Sequence, residues 1–352
     1  VAATAIIGGI LSLFVIFIGA VGLFPMLQFL GTPSAIVSQS YLYISTIVNG
    51  VAVTFAYNLC AGLLRAVGDS LAALYFLIIA AILNILLDLY FITQLHLGVQ
   101  SAGIATIIAQ GISALLCLLY IRKKVPFLLP HRKDFVWDKE LYQDLLSQGL
   151  AMGLMTSIVS IGTVTLQSAI NQLGTTIISA QVAARRIMSF AVLPITAIAS
   201  SITTFISQNF GAEQFQRIKK GVTIANLLSW VWSVLVAALL FFTSPSLTSF
   251  ISGSTNPDLI ANASLYLQIS SCFYPILASL IILRNALQGM GKKLTPLTSS
   301  FIELFGKIFF VLWIIPHTGY MGVILCEPLI WIPMTLQLII IYRKIRYQLL
   351  TE

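Results

Sequence analysis

Apolar runs of about 20 or more residues recur from one end of this chain to the other, separated by short polar connections. At about 1.5 Å of rise per residue, each run is long enough to cross a hydrocarbon core of about 30 Å as a helix. The pattern predicts spans near residues 3–24, 35–63, 72–92, 100–121, 146–172, 177–208, 221–243, 260–286, 295–315 and 320–342. In lipid every backbone amide must find its partner within the protein, so these runs predict helices. The expectation is an all-α integral membrane protein of about ten spans, and a soluble enzyme is excluded.

Composition agrees: 58% of residues are apolar and 9% charged, against roughly 45–50% and 25% in soluble domains. The net charge of +8 changes the picture through its distribution. Arg122, Lys123, Lys124, Arg132, Lys133 and Lys139 share one connection, Arg217, Lys219 and Lys220 another, Lys292 and Lys293 a third, and Arg343, Lys344 and Arg346 follow the last span. If the helices alternate in direction, all of these fall on one side. The opposite connections, near 25–34, 93–99, 173–176, 244–259 and 316–319, contain neither Lys nor Arg. The positive-inside rule then puts the 122–145 connection and the C-terminus in the cytoplasm of a multi-pass protein of the cell membrane. A nucleic-acid partner is not needed to explain the charge.

Candidate chemistry is sparse. Cys60, Cys117, Cys272 and Cys326 all fall inside predicted spans without ligand spacing and read as core filler. His96, His131 and His317 lie in three separate connections, so no metal centre is expected. There is no Gly-rich loop ending in Lys-Ser or Lys-Thr, hence no expectation of ATP hydrolysis, and no cofactor is implied. The chain opens on Val1 and enters its first apolar run at once, with no basic leader, and looks trimmed.

An internal repeat organises the spans. Tyr41-Leu42-Tyr43-Ile44-Ser45 resembles Tyr266-Leu267-Gln268-Ile269-Ser270, Pro33 parallels Pro257, and Gly68-Asp69-Ser70-Leu71-Ala72-Ala73-Leu74 matches Gly291-Lys292-Lys293-Leu294-Thr295-Pro296-Leu297 at a nearly constant offset. Residues 1–121 then form a first lobe, 122–145 a linker and 146–345 a second lobe. The two spans between 146 and 208 have no upstream counterpart, so about ten spans of an expected twelve are present, with two helices expected before Val1. Six helices per lobe would give both the same orientation, related by a pseudo-twofold axis along the membrane normal.

Several stretches resemble the multidrug and toxic compound extrusion (MATE) transporters: Ser207-Gln208-Asn209-Phe210-Gly211-Ala212; Leu64-Arg65-Ala66-Val67-Gly68-Asp69-Ser70 followed by Leu83-Asn84-Ile85-Leu86-Leu87-Asp88; and Leu287-Gln288-Gly289-Met290-Gly291 followed by Thr295-Pro296-Leu297. The resemblance implies two six-helix lobes around a cavity that opens alternately to either side. It also implies export of an amphiphilic or cationic organic compound in exchange for H⁺ or Na⁺, by a monomer in a lipid bilayer. An acidic residue on the family's first helix often carries coupling, and that helix is not in this sequence, so the trimmed chain is expected not to transport by itself. Members that bind Na⁺ in the second lobe use acidic residues on helices seven and ten. Here the corresponding runs 146–172 and 260–286 contain no Asp or Glu. A second reading, from another class, is a flippase for a lipid-linked oligosaccharide or cell-wall precursor, whose pyrophosphate would need a cationic cavity of the kind Arg185, Arg186, Arg284 and Lys307 offer.

Charges within spans are costly, about 3 kcal/mol or more near the bilayer centre, and each is a site candidate. Glu303 and Lys307 stand four residues apart, on one helical face and in the favourable order. Glu327 lies at similar depth on the next span, and Arg185 and Arg186 lie on another, where only one of the two arginines can point inward. These are candidates for coupling ion or substrate, with a static ion pair as the plainer alternative. Asp88 and Asn84 share a face in the first lobe, either as a packing contact or as part of a cation path. Arg65, Asp69 and Arg284, near cytoplasmic ends, are gating or structural candidates. Pro194 removes a backbone hydrogen bond within its span and predicts a kink, which could serve as a hinge.

Overall fold

The computed structural model describes residues 1–29, 34–135 and 137–351; Pro33 and the side chains of Arg132 and Arg346 lie outside the described residues. All of the regular structure among them is helical. In chain order the helices are α1 (Ala2–Phe29), α2 (Ser34–Asn49), α3 (Val51–Ala66), α4 (Ser70–Thr93), α5 (Gln100–Lys124), α6 (Lys139–Asn171), α7 (Thr175–Gly211), α8 (Phe215–Ser252), α9 (Pro257–Cys272), α10 (Tyr274–Gly289), α11 (Leu294–Phe309), a short α12 (Ile315–Thr318) and α13 (Tyr320–Thr351). Eight stretches are single spans by length and hydropathy, and the count reaches 10 if two bent pairs each count as one.

Those pairs fall where the apolar pattern runs on unbroken, in 35–63 and 260–286. α2 and α3 meet at 45°, and α9 and α10 at 58°. The first break is at Gly50, where a Cβ would stand 2.3 Å from the Ile107 side chain of α5; the missing side chain lets α5 pack into the bend. The second is at Phe273, just ahead of Pro275, which has no amide proton to donate to the preceding turn and so favours a new helix start. Pro194, by contrast, sits within α7, which continues through it as one helix to Gly211. α8 likewise runs through Pro245 to Ser252, taking up much of the 244–259 connection. In the 122–145 connection, two 3₁₀ turns, Pro126–Leu128 and Arg132–Asp134, lie between α5 and α6.

The sequence repeat is written into backbone detail. The breaks at Gly50 and Phe273 and the helix ends at Val67 and Met290 are separated by the same interval. At the first end, Gly68 (φ 89°) donates to Arg65 and Asp69 donates to the Leu64 carbonyl at 2.9 Å; at the second, Gly291 (φ 73°) donates to Gln288 and Lys292 to Leu287 at 2.9 Å. Each is the same left-handed glycine closure of a helix, which an L side chain adopts only with strain.

The chain divides into two compact units, Val1–Leu146 and Ser147–Glu352. Within unit 1, Tyr57, Cys60, Leu64, Cys117 and Ile121 form the buried centre. Within unit 2 a larger core gathers Leu166, Ile170, Ala184, Ile206, Tyr266, Tyr274, Leu287, Ile324 and Leu338. Cys272 departs from the core-filler expectation and is exposed. Large apolar side chains such as Phe17, Phe242 and Phe250 are exposed, a cost in water but not in hydrocarbon.

Close packing in unit 2 depends on small residues. A Cβ on Gly289 would approach the Thr203 carbonyl to 2.8 Å, and that same helix contact carries a Ser207 hydroxyl donating to the Gly289 carbonyl at 3.0 Å. Gly289→Ala is expected to cost about 1–3 kcal/mol by forcing the backbones apart. Thermal unfolding in detergent should show a lowered midpoint for it and little change for Gly149→Ala, where the added carbon meets nothing within 4 Å.

Candidate functional site

Four charged side chains form one connected group within unit 2. Lys307, on α11, donates to Glu303 one turn earlier at 2.8 Å and lies 3.4 Å from Glu327 of α13. Arg185 of α7 reaches the same Glu327 oxygen from the other side, its Nη2 at 3.2 Å. Exposure falls from 31% for the Arg185 side chain to 3% for Lys307. Two acids and two bases leave the group neutral, the condition under which buried charges are tolerated. Glu327 is the hub, because it joins three helices.

Uncharged neighbours hold this group in place. The fully buried Tyr266 of α9 donates its hydroxyl to the second Glu327 oxygen at 3.3 Å. Gly162 of α6 leaves room for the Lys307 stem, whose Cδ would be 3.1 Å from a Cβ there. One turn before Arg185, Gln181 accepts from the Tyr320 hydroxyl of α13 at 2.9 Å. Arg186 is exposed rather than joined to the group. Arg284 of α10 donates through Nε and Nη2 to the buried Ser299 hydroxyl, at 3.2 and 2.7 Å, which binds α10 to α11.

In unit 1 the candidates divide differently. Asn84 of α4 donates to the Thr106 hydroxyl of α5 at 3.2 Å. Asp88, one turn further along α4, has one carboxylate oxygen buried with no hydrogen-bond partner among the described residues. Asp69 is a cap: it accepts from the Ala72 amide at 3.1 Å and from the Tyr120 hydroxyl at 2.9 Å, fixing the start of α4. Arg65 is exposed in the last turn of α3. Among the described residues no group of three His, Cys, Asp or Glu side chains could hold a metal ion.

Sequence reading passes over Tyr266, Gln181, Tyr320, Gly162 and Thr106. Tyr266 stands out in sequence only as part of the repeat, and the others carry no local signal of their partners.

The charge balance of the quartet gives a stability test. Lys307→Met leaves Glu303 buried without a counter-charge, and is expected to cost about 3–5 kcal/mol. Adding Glu303→Gln restores neutrality, so the double variant should recover more than half of the loss; equal or additive losses in denaturant melts would show that the two groups do not act as a pair.

Comparison with known proteins places this geometry. A family model described as MatE matches residues 1–90 and 151–313. The probable multidrug resistance protein YpnP of Bacillus subtilis (strain 168) is 29% identical over 291 residues, covering 81% of this chain and 64% of that protein. An FAD transporter of Shewanella oneidensis is 27% identical over 252 residues, covering 68% of this chain and 54% of that protein. The chain thus spans less than two thirds of the length of these relatives. A crystal structure of a MATE protein in the bent conformation superposes with a TM-score of 0.89 at 19% identity, covering 99% of this chain and 78% of that one, and so shares its two-lobed all-helical fold. With most of its length matched by the family model and its described structure following the same fold, the chain belongs to the MatE family of membrane transporters.

Proposed function

We propose that this protein is a secondary active exporter that moves an amphiphilic organic compound against H⁺ or Na⁺ by alternating access. Its relatives include proteins named for multidrug resistance and for FAD transport, and its own spans carry charges that a passive scaffold would avoid. The observation that carries the coupling is Asp88. A carboxylate at the centre of a span costs about 2.5–3.5 kcal/mol when it stays charged in lipid, and part of that nearer a helix end; Asp88, in the last turns of α4 and one turn past Asn84, has a buried oxygen with no partner among the described residues. A proton or a Na⁺ at Asp88 removes that cost. Binding there favours whichever conformation keeps the site closed, and release to the other side reverses the preference.

The quartet around Glu327 has a different part in this reading. Because Arg185 and Lys307 already neutralise Glu303 and Glu327, it ties α7, α11 and α13 together and moves as one body, or trades a partner when substrate enters. No bound cofactor takes part. The protein works as a monomer in the cell membrane, with the 122–145 connection and the C-terminus in the cytoplasm.

Ethidium efflux from proteoliposomes containing the full-length protein, under a pH gradient and a Na⁺ gradient imposed separately, tests the proposal. One gradient should drive efflux by the wild type, and Asp88→Asn should lower the driven rate at least tenfold. Undiminished driven efflux in Asp88→Asn would remove the coupling from this site. Absence of efflux in the wild type under both gradients would favour the lipid-linked precursor flippase instead.

A further inference from the structure

Gln181 and Arg185 stand one turn apart on the same face of α7, and both have donors without acceptors. Gln181 is 1% exposed; its carbonyl accepts from Tyr320, while its amide nitrogen has no partner among the described residues. Arg185 gives Nη2 to Glu327, and its Nε is buried with no partner among the described residues. A guanidinium and an amide nitrogen can only donate. The nearby carboxylate does not reach them: Glu327 meets Arg185 through Nη2 and Lys307 on one oxygen and Tyr266 on the other, and neither the Arg185 Nε nor the Gln181 amide nitrogen bonds to it. Buried donors in this position call for acceptors from elsewhere.

Charge points the same way. Both carboxylates of the group are already matched, Glu303 by Lys307 and Glu327 by Lys307 and Arg185. A positively charged ligand group brought to this face of α7 would meet the Arg185 guanidinium and gain no acceptor that is not already shared. An oxyanion would meet both a counter-charge and the planar donor edge that suits two oxygens. Arg185 keeps 31% of its side chain exposed, which gives an anion its approach to the guanidinium, with the buried Gln181 amide one turn beyond it.

We infer that Gln181 and Arg185 form a binding site for an oxyanion, the carboxylate or phosphate group of an amphiphilic molecule, so that unit 2 accepts anionic and zwitterionic compounds as well as cationic ones. The inference rests on the transporter reading for its biological meaning, but it is tested by binding without any gradient. Gln181→Glu keeps the oxygen that Tyr320 donates to, deletes the N–H donors and adds a negative charge. Carboxyfluorescein anisotropy with the full chain in phosphatidylcholine nanodiscs should show binding to the wild type and at least tenfold weaker binding to Gln181→Glu, with ethidium binding equal or stronger. Arg185→Lys, which keeps the charge and loses the fork, should fall between.

Repeating the titration with phosphatidylglycerol in the disc distinguishes the source of the oxyanion. Weakened dye binding in the wild type identifies a lipid headgroup as a competing occupant of the same site, and unchanged binding identifies the soluble anion; either supports the site. Absence of dye binding to the wild type, or equal affinity in wild type and Gln181→Glu, would overturn it. Gradient-driven ethidium efflux together with either of those results would leave the exporter reading standing and sink this inference alone.

Discussion

Hydrocarbon offers no hydrogen bonds and little screening, so a charge inside it must be neutralised by something the protein itself supplies. Unit 2 meets that demand by closing four charges on one another around Glu327. The arrangement sets much else: Gly162 must stay small for the Lys307 stem to pass, Tyr266 must be buried to cap the second carboxylate oxygen, and α7, α11 and α13 must meet at one depth. Neutrality is reached as a set. Removing one member leaves an uncompensated charge, whereas removing a matched pair does not.

Beyond the ion pairs of that group, Asp88 and the Gln181–Arg185 face of α7 keep polar atoms without partners among the described residues. Asp88 is an acid with one buried oxygen unpartnered among the described residues, and Gln181 and Arg185 each keep one such donor, Arg185 beside the one it gives to Glu327. Their chemistry is complementary: the first asks for a cation and the second for an anion. An exporter needs two such sites, one for the coupling ion and one for the compound moved. In the proposed exporter, coupling arises because occupation of either changes the preference between conformations, and the free-energy link is reciprocal.

Much of the fold is legible in the chain, because depth in a membrane is written in hydropathy. The spans, the Glu303–Lys307 spacing and the glycine closures at Gly68 and Gly291 are local signals, each read within a few residues. The bends at Gly50 and Phe273 are not, since the apolar run continues through both and only a packed neighbour or a following proline decides them. Partners across helices are equally silent. Arg185 and Glu327 are 142 residues apart, Tyr320 and Gln181 139, and hydropathy fixes a residue's depth without saying which helix its side chain meets. Pro194 is a local signal of another kind: it stands inside α7, which runs on past it as one helix to Gly211.

The central claim is that an ion and an organic compound are exchanged through one protein, and the most direct measurement is of the ion itself. Substrate added to the detergent-solubilised protein in weakly buffered solution, with a pH indicator for H⁺ and radioactive sodium for Na⁺, reports whether one binding event expels the other. The account predicts release of a proton or of bound Na⁺ from the wild type, lost in Asp88→Asn. Substrate binding with no release of either ion from the wild type would contradict it.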